Sequence, residues 1–137
     1  MKHEMTYRVA YADTDQMGVV YYGNYLTYFE RARTEMLRSV GLPYAEFERR
    51  GYLLPVSEAH CKYVSGAHYD DLLTFRSWLQ EMRGARLTVA CEVLRDGELL
   101  ASGYVTLACV LAAERKLTRI PDFMREKCLC FLEDAEK

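Results

Sequence analysis

The periodicity of the apolar residues changes once along this chain, from a helical pattern to an extended one. Between 24 and 40 the apolar residues recur at the spacing of one helical face: Tyr25, Leu26, Phe29, Ala32, Met36, Leu37 and Val40. Asn24 is placed to cap this helix, and Gly41 with Pro43 to end it. Four long segments rich in Leu, Val, Thr and aromatic residues follow, at 53–64, 71–82, 86–94 and 99–112. One long helix followed by consecutive strands predicts an α+β fold with an antiparallel sheet, since alternating βαβ units are absent.

A first strand and two shorter helices complete the predicted elements. The segment 5–11 alternates apolar and polar residues, which is typical of a half-buried strand. A short helix is expected over 43–50, where proline starts it, and Pro121 opens another over 122–132. The dipeptide Asp96-Gly97 between two strands predicts a two-residue hairpin turn, because both positions of that turn take positive φ angles.

The size and charge of the chain narrow the classes of protein it can belong to. Its 137 residues, 50% of them apolar, suit one folding unit over 1–137, and 18 basic against 20 acidic side chains give a net charge of −2. This balance argues against a nucleic-acid-binding protein, which normally carries a basic excess. The longest apolar run, 107–113, is far shorter than the ~20 residues of a membrane helix, so no membrane span is expected. No secretory leader is apparent, and the cysteines include no C-x-x-C pair, so we expect a cytoplasmic protein with reduced thiols.

Two aspartates lie between the first strand and the long helix. Asp13 and Asp15 precede a helix start, where free backbone N–H groups carry partial positive charge, so an acid lies next to an anion-stabilising site. A calcium loop starting at Asp13 is excluded, because Met17 and Asn24 would occupy two of its ligand positions. A phosphotransferase with this D-x-D pattern is also excluded, because such an enzyme requires alternating α/β units, which this chain lacks. We therefore expect no metal at this motif. The motif indicates catalysis, and the alternative is that the two aspartates only cap the following turn.

A family resemblance is carried by the residues around these aspartates. The chain contains Asp13-Thr14-Asp15, Gly18-Val19-Val20-Tyr21, Gly23-Asn24-Tyr25-Leu26 and Phe29-Glu30-Arg31-Ala32-Arg33, with later matches at Tyr69-Asp70-Asp71-Leu72 and Arg119-Ile120-Pro121. In these segments it resembles the hotdog-fold acyl-CoA thioesterases, in the branch of 4-hydroxybenzoyl-CoA thioesterase and YbgC. The resemblance implies an α+β hotdog fold, in which a five-stranded antiparallel sheet wraps around one long helix. It also implies subunits that pair their sheet edges, as a dimer or a tetramer, with active sites at the subunit interface.

The same resemblance assigns the catalytic groups. Asp15 matches the family's catalytic carboxylate, which acts as a nucleophile or general base, and the backbone N–H of Tyr22 matches its oxyanion donor. Many YbgC-like members carry His where this chain has Tyr22, but a backbone donor survives that exchange. Glu30 is a rival catalyst, because another thioesterase branch uses a helical glutamate. An ion pair with Arg31 or Arg33 is the alternative role of Glu30.

Substrate-binding residues are expected on both sides of the motif. Tyr21, Asn24 and Tyr25 belong to a tyrosine-rich stretch at the start of the long helix, where the acyl group would bind. Four basic side chains near turns or strand ends are candidates for the phosphates of coenzyme A, with solvated surface charge as their alternative role: Lys62, His68, Arg83 and Arg86. The substrate is expected to be an acyl-CoA or an acyl-carrier-protein thioester, and no cofactor is expected.

Two other functions on the same fold are weighed against hydrolysis. A noncatalytic acyl-CoA-binding module is disfavoured because Asp15 is present. Asp13 is expected to orient the loop that contains both aspartates. A hotdog dehydratase is disfavoured because its His motif with glycine and proline is absent, and His60 is expected to be a strand histidine without a catalytic role. The sequence therefore predicts an acyl-CoA thioesterase.

Overall fold

The computed structural model describes residues 1–133, so the last four residues of the expected folding unit 1–137 lie outside the described part of the chain. In chain order its helices and strands are β1 (His3–Arg8), α1 (Asn24–Ser39), α2 (Tyr44–Arg49), β2 (Tyr52–Leu53), β3 (Val56–Tyr63), β4 (Leu72–Arg83), β5 (Arg86–Arg95), β6 (Glu98–Ala108), β7 (Val110–Leu111), β8 (Lys116–Leu117) and α3 (Asp122–Cys128).

Five strands form one antiparallel sheet, in the order β1-β4-β5-β6-β3. β1 and β3 are its two edge strands, and α1 packs against one face of the sheet. The predicted α+β architecture, a five-stranded antiparallel sheet around one long helix, is confirmed. β1 ends at Arg8 instead of the predicted Tyr11, because residues 11–13 form a single 3-10 turn.

An apolar stripe on α1 faces the sheet. Its buried residues follow the helical spacing read from the sequence: Tyr25, Tyr28, Phe29, Ala32, Met36 and Leu37. Leu26, which the prediction also places in this stripe, is 43% exposed, because it lies on the flank of α1 beside edge strand β3. Gly103 on β6 permits close packing here, since a Cβ atom at this position would lie 1.9 Å from the carbonyl oxygen of His60 and 2.9 Å from the ring of Phe29.

Two of the predicted long strands are divided. The segment 53–64 separates into β2 and β3 around Pro55, because proline has no N–H group to donate to a sheet ladder. The segment 99–112 separates into β6 and β7 at Cys109, whose N–H donates to the carbonyl of Ala85 at 2.8 Å. β2 and β7 join β8, which the sequence pattern does not predict, in a small three-stranded sheet.

The helices and the hairpin turn lie close to their predicted positions. α1 and α2 match the predictions closely, and α3 stops at Cys128, after which a 3-10 turn replaces the rest of the predicted helix 122–132. Asp96 and Gly97 have φ angles of 52° and 81°, which confirms the hairpin turn. No helix within residues 1–133 is long and apolar enough to cross a membrane.

Candidate active site

The loop between β1 and α1 folds back on itself as a small hairpin. Thr14 and Val20 form an antiparallel bridge, and the N–H of Asp15 donates to the carbonyl of Val19 at 3.0 Å. At the tip, the N–H of Gly18 donates to the carbonyl of Asp15 at 3.0 Å, and Gly18 has a φ angle of 80° that favours glycine. The motif singled out in the sequence is therefore a closed turn with Asp15 at its base.

The carboxylate of Asp15 has one occupied and one free oxygen. The backbone N–H of Met17 donates to Oδ1 of Asp15 at 2.9 Å, which fixes the side chain against its own turn. Within residues 1–133 no other group donates to this half-buried carboxylate, so its Oδ2 is available to a substrate or a water molecule. The pKa of the Tyr21 phenol is raised, first by the adjacent phenol of Tyr22 and also by the negative charge of Asp15.

The start of α1 leaves two backbone donors free. Among the described residues, the N–H groups of Tyr22 and Gly23 have no hydrogen-bond acceptor, and no side chain caps the helix. The expectation that Asn24 is the cap is wrong, because Asn24 is the first residue of α1 and its side chain donates to the carbonyl of Asp13 at 2.8 Å. Free N–H groups at a helix start carry partial positive charge, so this end of α1 suits a negatively charged oxygen atom.

Asp13 has a structural environment that differs from that of Asp15. Its Oδ2 accepts hydrogen bonds from the hydroxyl of Tyr7 at 2.6 Å, the hydroxyl of Tyr28 at 3.0 Å and the N–H of Ala10 at 3.0 Å. Burial raises the pKa values of Tyr7 and Tyr28, and the nearby Asp13 carboxylate raises them further. Both phenols therefore stay protonated and act as hydrogen-bond donors. Asp13 thus ties β1, the loop and α1 together, as expected for a residue that orients the loop. Over residues 1–133, no three His, Cys, Asp or Glu side chains are grouped closely enough to hold a metal ion.

Tyr63, at the end of edge strand β3, contacts the start of α1, although no pattern in the sequence points to this residue. Its hydroxyl donates to the carbonyl of Tyr22 at 2.9 Å, and the two rings meet edge to face with centroids 6.2 Å apart. The pKa of Tyr63 is raised to about 12, mainly by burial and further by its contact with Cys61. Tyr63 and Tyr22 are 41 residues apart in the chain, so no local pattern predicts their contact.

The two tyrosines proposed for substrate binding have different surroundings. Tyr21 is 45% exposed, and its ring centroid lies 4.7 Å from that of Tyr22. Tyr25 is only 3% exposed, because its ring is packed between Tyr28, at 5.5 Å, and Tyr63, at 5.3 Å. In a single chain, therefore, Tyr21 offers a surface to a ligand and Tyr25 supports the rings around it.

Glu30 is exposed on α1, away from the loop. It lies six residues beyond Asn24, which corresponds to about 9 Å along the helix axis at ~1.5 Å per residue. The expected ion pair of Glu30 with Arg31 or Arg33 is not formed within residues 1–133. Burial lowers the pKa of Arg33, and the charge of Glu30 opposes that shift. Glu30 and Arg33 line a cavity of about 290 Å³ whose apolar wall includes Leu37, Leu54 and Leu107.

The basic residues proposed for coenzyme A lie in two separate regions. Lys62 and His68 are exposed near the end of the sheet that carries the loop, and Nδ1 of His68 lies 3.7 Å from the carboxylate of Asp71. Arg83 and Arg86 flank the turn between β4 and β5, at the opposite end of the sheet. The 12 residues of β4 separate the two ends by about 36 Å at ~3.3 Å per residue. Within one chain, Arg83 and Arg86 therefore do not join Asp15.

Comparisons with known proteins identify relatives over most of the chain. Residues 9–128 match the profile of the Thioesterase-like superfamily. The acyl-CoA thioesterase YbgC of Haemophilus influenzae is 35% identical over 115 residues, which cover 83% of this chain and 85% of that protein. The crystal structure of TT1821 from Thermus thermophilus superposes with a TM-score of 0.89 at 34% identity, covering 96% of this chain and 98% of that one. A DHNA-CoA thioesterase from Staphylococcus aureus superposes with a TM-score of 0.86 at 30% identity, covering 92% and 87%.

Proposed function

This chain belongs to the Thioesterase-like superfamily, and from that membership we propose that it hydrolyses an acyl-CoA or acyl-carrier-protein thioester to a free acid and a thiol. The chain is an enzyme of the hydrolase class. One observation carries the assignment of the reacting groups: the segment between β1 and α1 holds both a carboxylate with a free oxygen, Asp15, and the free N–H of Tyr22.

The proposed reaction begins with the thioester carbonyl between these two groups. The N–H of Tyr22 donates to the carbonyl oxygen, on which negative charge develops as the tetrahedral species forms. One such backbone donor is typically worth ~3 kcal/mol in the transition state. Gly23 adds a second free N–H at the same helix start, and the partial positive charge there stabilises the same oxygen.

Asp15 acts on the carbonyl carbon in one of two ways. As a nucleophile, its Oδ2 forms a bond to the carbonyl carbon, the thiolate leaves with the C–S electron pair, and water then hydrolyses the resulting anhydride. As a general base, Asp15 takes a proton from a water molecule whose oxygen attacks the carbon, and the thiolate leaves with the C–S electron pair. Single-turnover hydrolysis in heavy-oxygen water tests for the nucleophilic route. Heavy oxygen enters the Asp15 side chain when water attacks the aspartyl carbonyl of the anhydride, whereas the general-base route labels only the product acid.

We expect Asp15→Asn to abolish hydrolysis, because the amide is a poor nucleophile and a poor base. The loss should exceed about a thousand-fold in kcat, the scale seen when a nucleophile or base is removed. Glu30→Gln is the matched control, since it makes the same carboxylate-to-amide change at the rival position on α1, and it should retain most activity. Thiol release from aromatic, short-chain and long-chain acyl-CoA substrates measures both variants.

Three results of that assay would contradict the proposal. Near-wild-type turnover in Asp15→Asn would remove the catalytic assignment, and a collapse in Glu30→Gln would transfer it to the helix. Tight acyl-CoA binding by the wild type without turnover on any substrate would favour a noncatalytic binding module. Sedimentation and thermal melting show whether each variant keeps its fold and assembly.

The proposal includes self-association through the edge strand β3. All residues of β3 are exposed except Cys61, which is half-buried, so this strand is unpaired on its outer side in the single chain. If β3 pairs antiparallel with β3 of a second copy, the end of one sheet lies beside the opposite end of the other. The partner subunit's Arg83 and Arg86 would then reach the phosphates of a substrate held at Asp15, which the same residues of one chain cannot do.

A further inference from the structure

The peptide groups before and after Tyr22 are both fixed by hydrogen bonds to their carbonyl oxygens. The carbonyl of Tyr21, in the peptide group that carries the N–H of Tyr22, accepts a hydrogen bond from the N–H of Asn24 at 2.9 Å. The carbonyl of Tyr22, in the next peptide group, accepts from the N–H of Tyr25 at 3.2 Å and from the hydroxyl of Tyr63 at 2.9 Å. Both carbonyls are therefore occupied, while the N–H of Tyr22 stays free.

The hydrogen bond from Tyr63 differs from the other two because it comes from outside the helix start. Asn24 and Tyr25 belong to the same first turn as Tyr22, so their bonds move with that turn. Tyr63 is anchored in the sheet, opposite Ala101 of β6, so its hydrogen bond fixes the position of Tyr22 relative to the sheet. Its ring also packs edge to face on Tyr25, with centroids 5.3 Å apart.

We propose that Tyr63 is a positioning residue, whose hydroxyl holds the Tyr22 segment so that its N–H points at the thioester oxygen in the transition state. This inference rests on the proposed function. An oxyanion donor is effective only when it is aimed in advance at the place where charge develops. Errors in such positioning reduce rates steeply, by up to about a hundred-fold for a displacement of ~1 Å. Tyr63 itself does not need to touch the substrate.

The hydroxyl of Tyr63 can serve as a donor over the whole working range of pH. Its pKa is raised to about 12, so the phenol remains protonated at neutral and mildly alkaline pH. A residue that acts by position leaves the shape of the pH–rate profile unchanged when it is replaced. A residue that transfers a proton removes or moves one limb of that profile.

Tyr63→Phe tests the proposal, since it deletes the hydroxyl and keeps the ring contacts. We expect kcat to fall about 10–100-fold, with KM changed by less than about two-fold, because the lost interaction is made in the transition state. The pH profile should keep its shape, and the melting temperature should stay within about 2 °C of the wild type. Tyr104→Phe is the matched control: its hydroxyl donates to Glu58 at 2.7 Å on the opposite face of the same pair of strands, and its loss should leave kcat unchanged.

A second variant separates positioning from general destabilisation. Replacement of Tyr63 by 4-aminophenylalanine keeps the ring and restores an N–H donor at the same place, so it should recover at least about half of the wild-type kcat. A 4-aminophenylalanine variant as slow as Tyr63→Phe would overturn the inference, and so would a Tyr63→Phe variant with unchanged kcat or with a change in KM alone. In those cases the thioesterase assignment stands if the wild type is active and Asp15→Asn is not. A wild type inactive on every thioester would overturn both.

Discussion

At the scale of single residues, three aspartates that look alike in the sequence have separate tasks. Asp13 and Asp15 both fit a catalytic or capping role as a D-x-D pair, and only the structure shows that the carboxylate of Asp13 is occupied by Tyr7 and Tyr28. Those donors lie six and 15 residues away in the chain, on different elements, so the sequence pattern does not reveal them. Asp71, immediately before β4, is a third case, and its role is in the stability of the fold.

The stability contributed by Asp71 should depend on pH. Its Oδ2 accepts from Arg95 and from the N–H of His68, each at 2.8 Å. Burial alone would raise the pKa of Asp71, but the His68 and Arg95 bonds outweigh burial and lower this pKa below its ordinary value of 3.8. A carboxylate with a lowered folded-state pKa stabilises the protein above its ordinary pKa, and this contribution is lost as the pH falls through the folded-state pKa. Asp71→Asn should therefore reduce the free energy of unfolding by about 1 kcal/mol at neutral pH, and the difference should shrink below about pH 4.

Urea denaturation of both proteins between about pH 7 and pH 3 tests this prediction. Asp96→Asn is the control, because Asp96 lies in the neighbouring hairpin turn and has no ion-pair partner within residues 1–133. It should follow the wild type at every pH. A stability difference for Asp71→Asn that is as large at the acid end as at neutral pH would show that the carboxylate charge is not the cause.

At the scale of elements, the sequence predicts what depends on local periodicity and misses what depends on distant partners. α1 and the central strands β4 and β5 carry long regular patterns, and their predicted limits are confirmed closely. The division at Cys109 depends on a hydrogen bond to the turn at Ala85, 24 residues earlier in the chain, which no pattern within 99–112 contains. Of the site, the resemblance indicates the loop with Asp15 and Tyr22, whereas Tyr63 emerges only from the folded arrangement.

Gly103→Ala should destabilise the contact between α1 and the sheet. The added Cβ would collide with the backbone oxygen of His60 at 1.9 Å and with the ring of Phe29 at 2.9 Å, so β3 or α1 must move. Overpacking of this kind costs about 1–3 kcal/mol of unfolding free energy. Urea denaturation measures the loss, and Ser102→Ala, at the adjacent position of β6, should change stability far less. Equal stability of the wild type and Gly103→Ala would mean that the strands do not approach this closely.

At the scale of the whole molecule, the sheet ends in an open edge. The N–H of Val64 donates to the carbonyl of Leu100 at 2.8 Å, in the register that pairs Lys62 with Ser102. Hydrogen-bonded pairs alternate along antiparallel strands, so Val64 and every second residue before it point their N–H groups toward β6. The N–H groups of Ala59, Cys61 and Tyr63 therefore face away from β6. A second copy of β3 could accept hydrogen bonds from these outward groups, as the proposed self-association requires.

Ala59→Pro should prevent self-association while the chain stays folded. Proline removes an outward N–H and is tolerated on an edge strand when that N–H does not belong to the ladder. Sedimentation velocity should show a shift from dimer or tetramer to monomer, with a large loss of thioesterase activity. Ala59→Ser keeps the N–H and should assemble like the wild type. His60→Pro removes an inward N–H and should unfold the chain, and an Ala59→Pro variant that still assembles would exclude pairing through β3.

The place of β3 in the sheet also sets the order in which the site can be completed during synthesis. β3 precedes β4 and β5 in the chain, yet its partner is β6. Tyr7, Asp13 and Tyr28 emerge early and lie close together in sequence, whereas the ladder that anchors Tyr63 requires residues 98–108. Contacts between distant segments form late, because a long loop must close first. A growing chain thus contains the carboxylate that we propose to react well before Tyr63 can be anchored beside Tyr22, so the proposed catalytic geometry is complete only when the last long strand has been made.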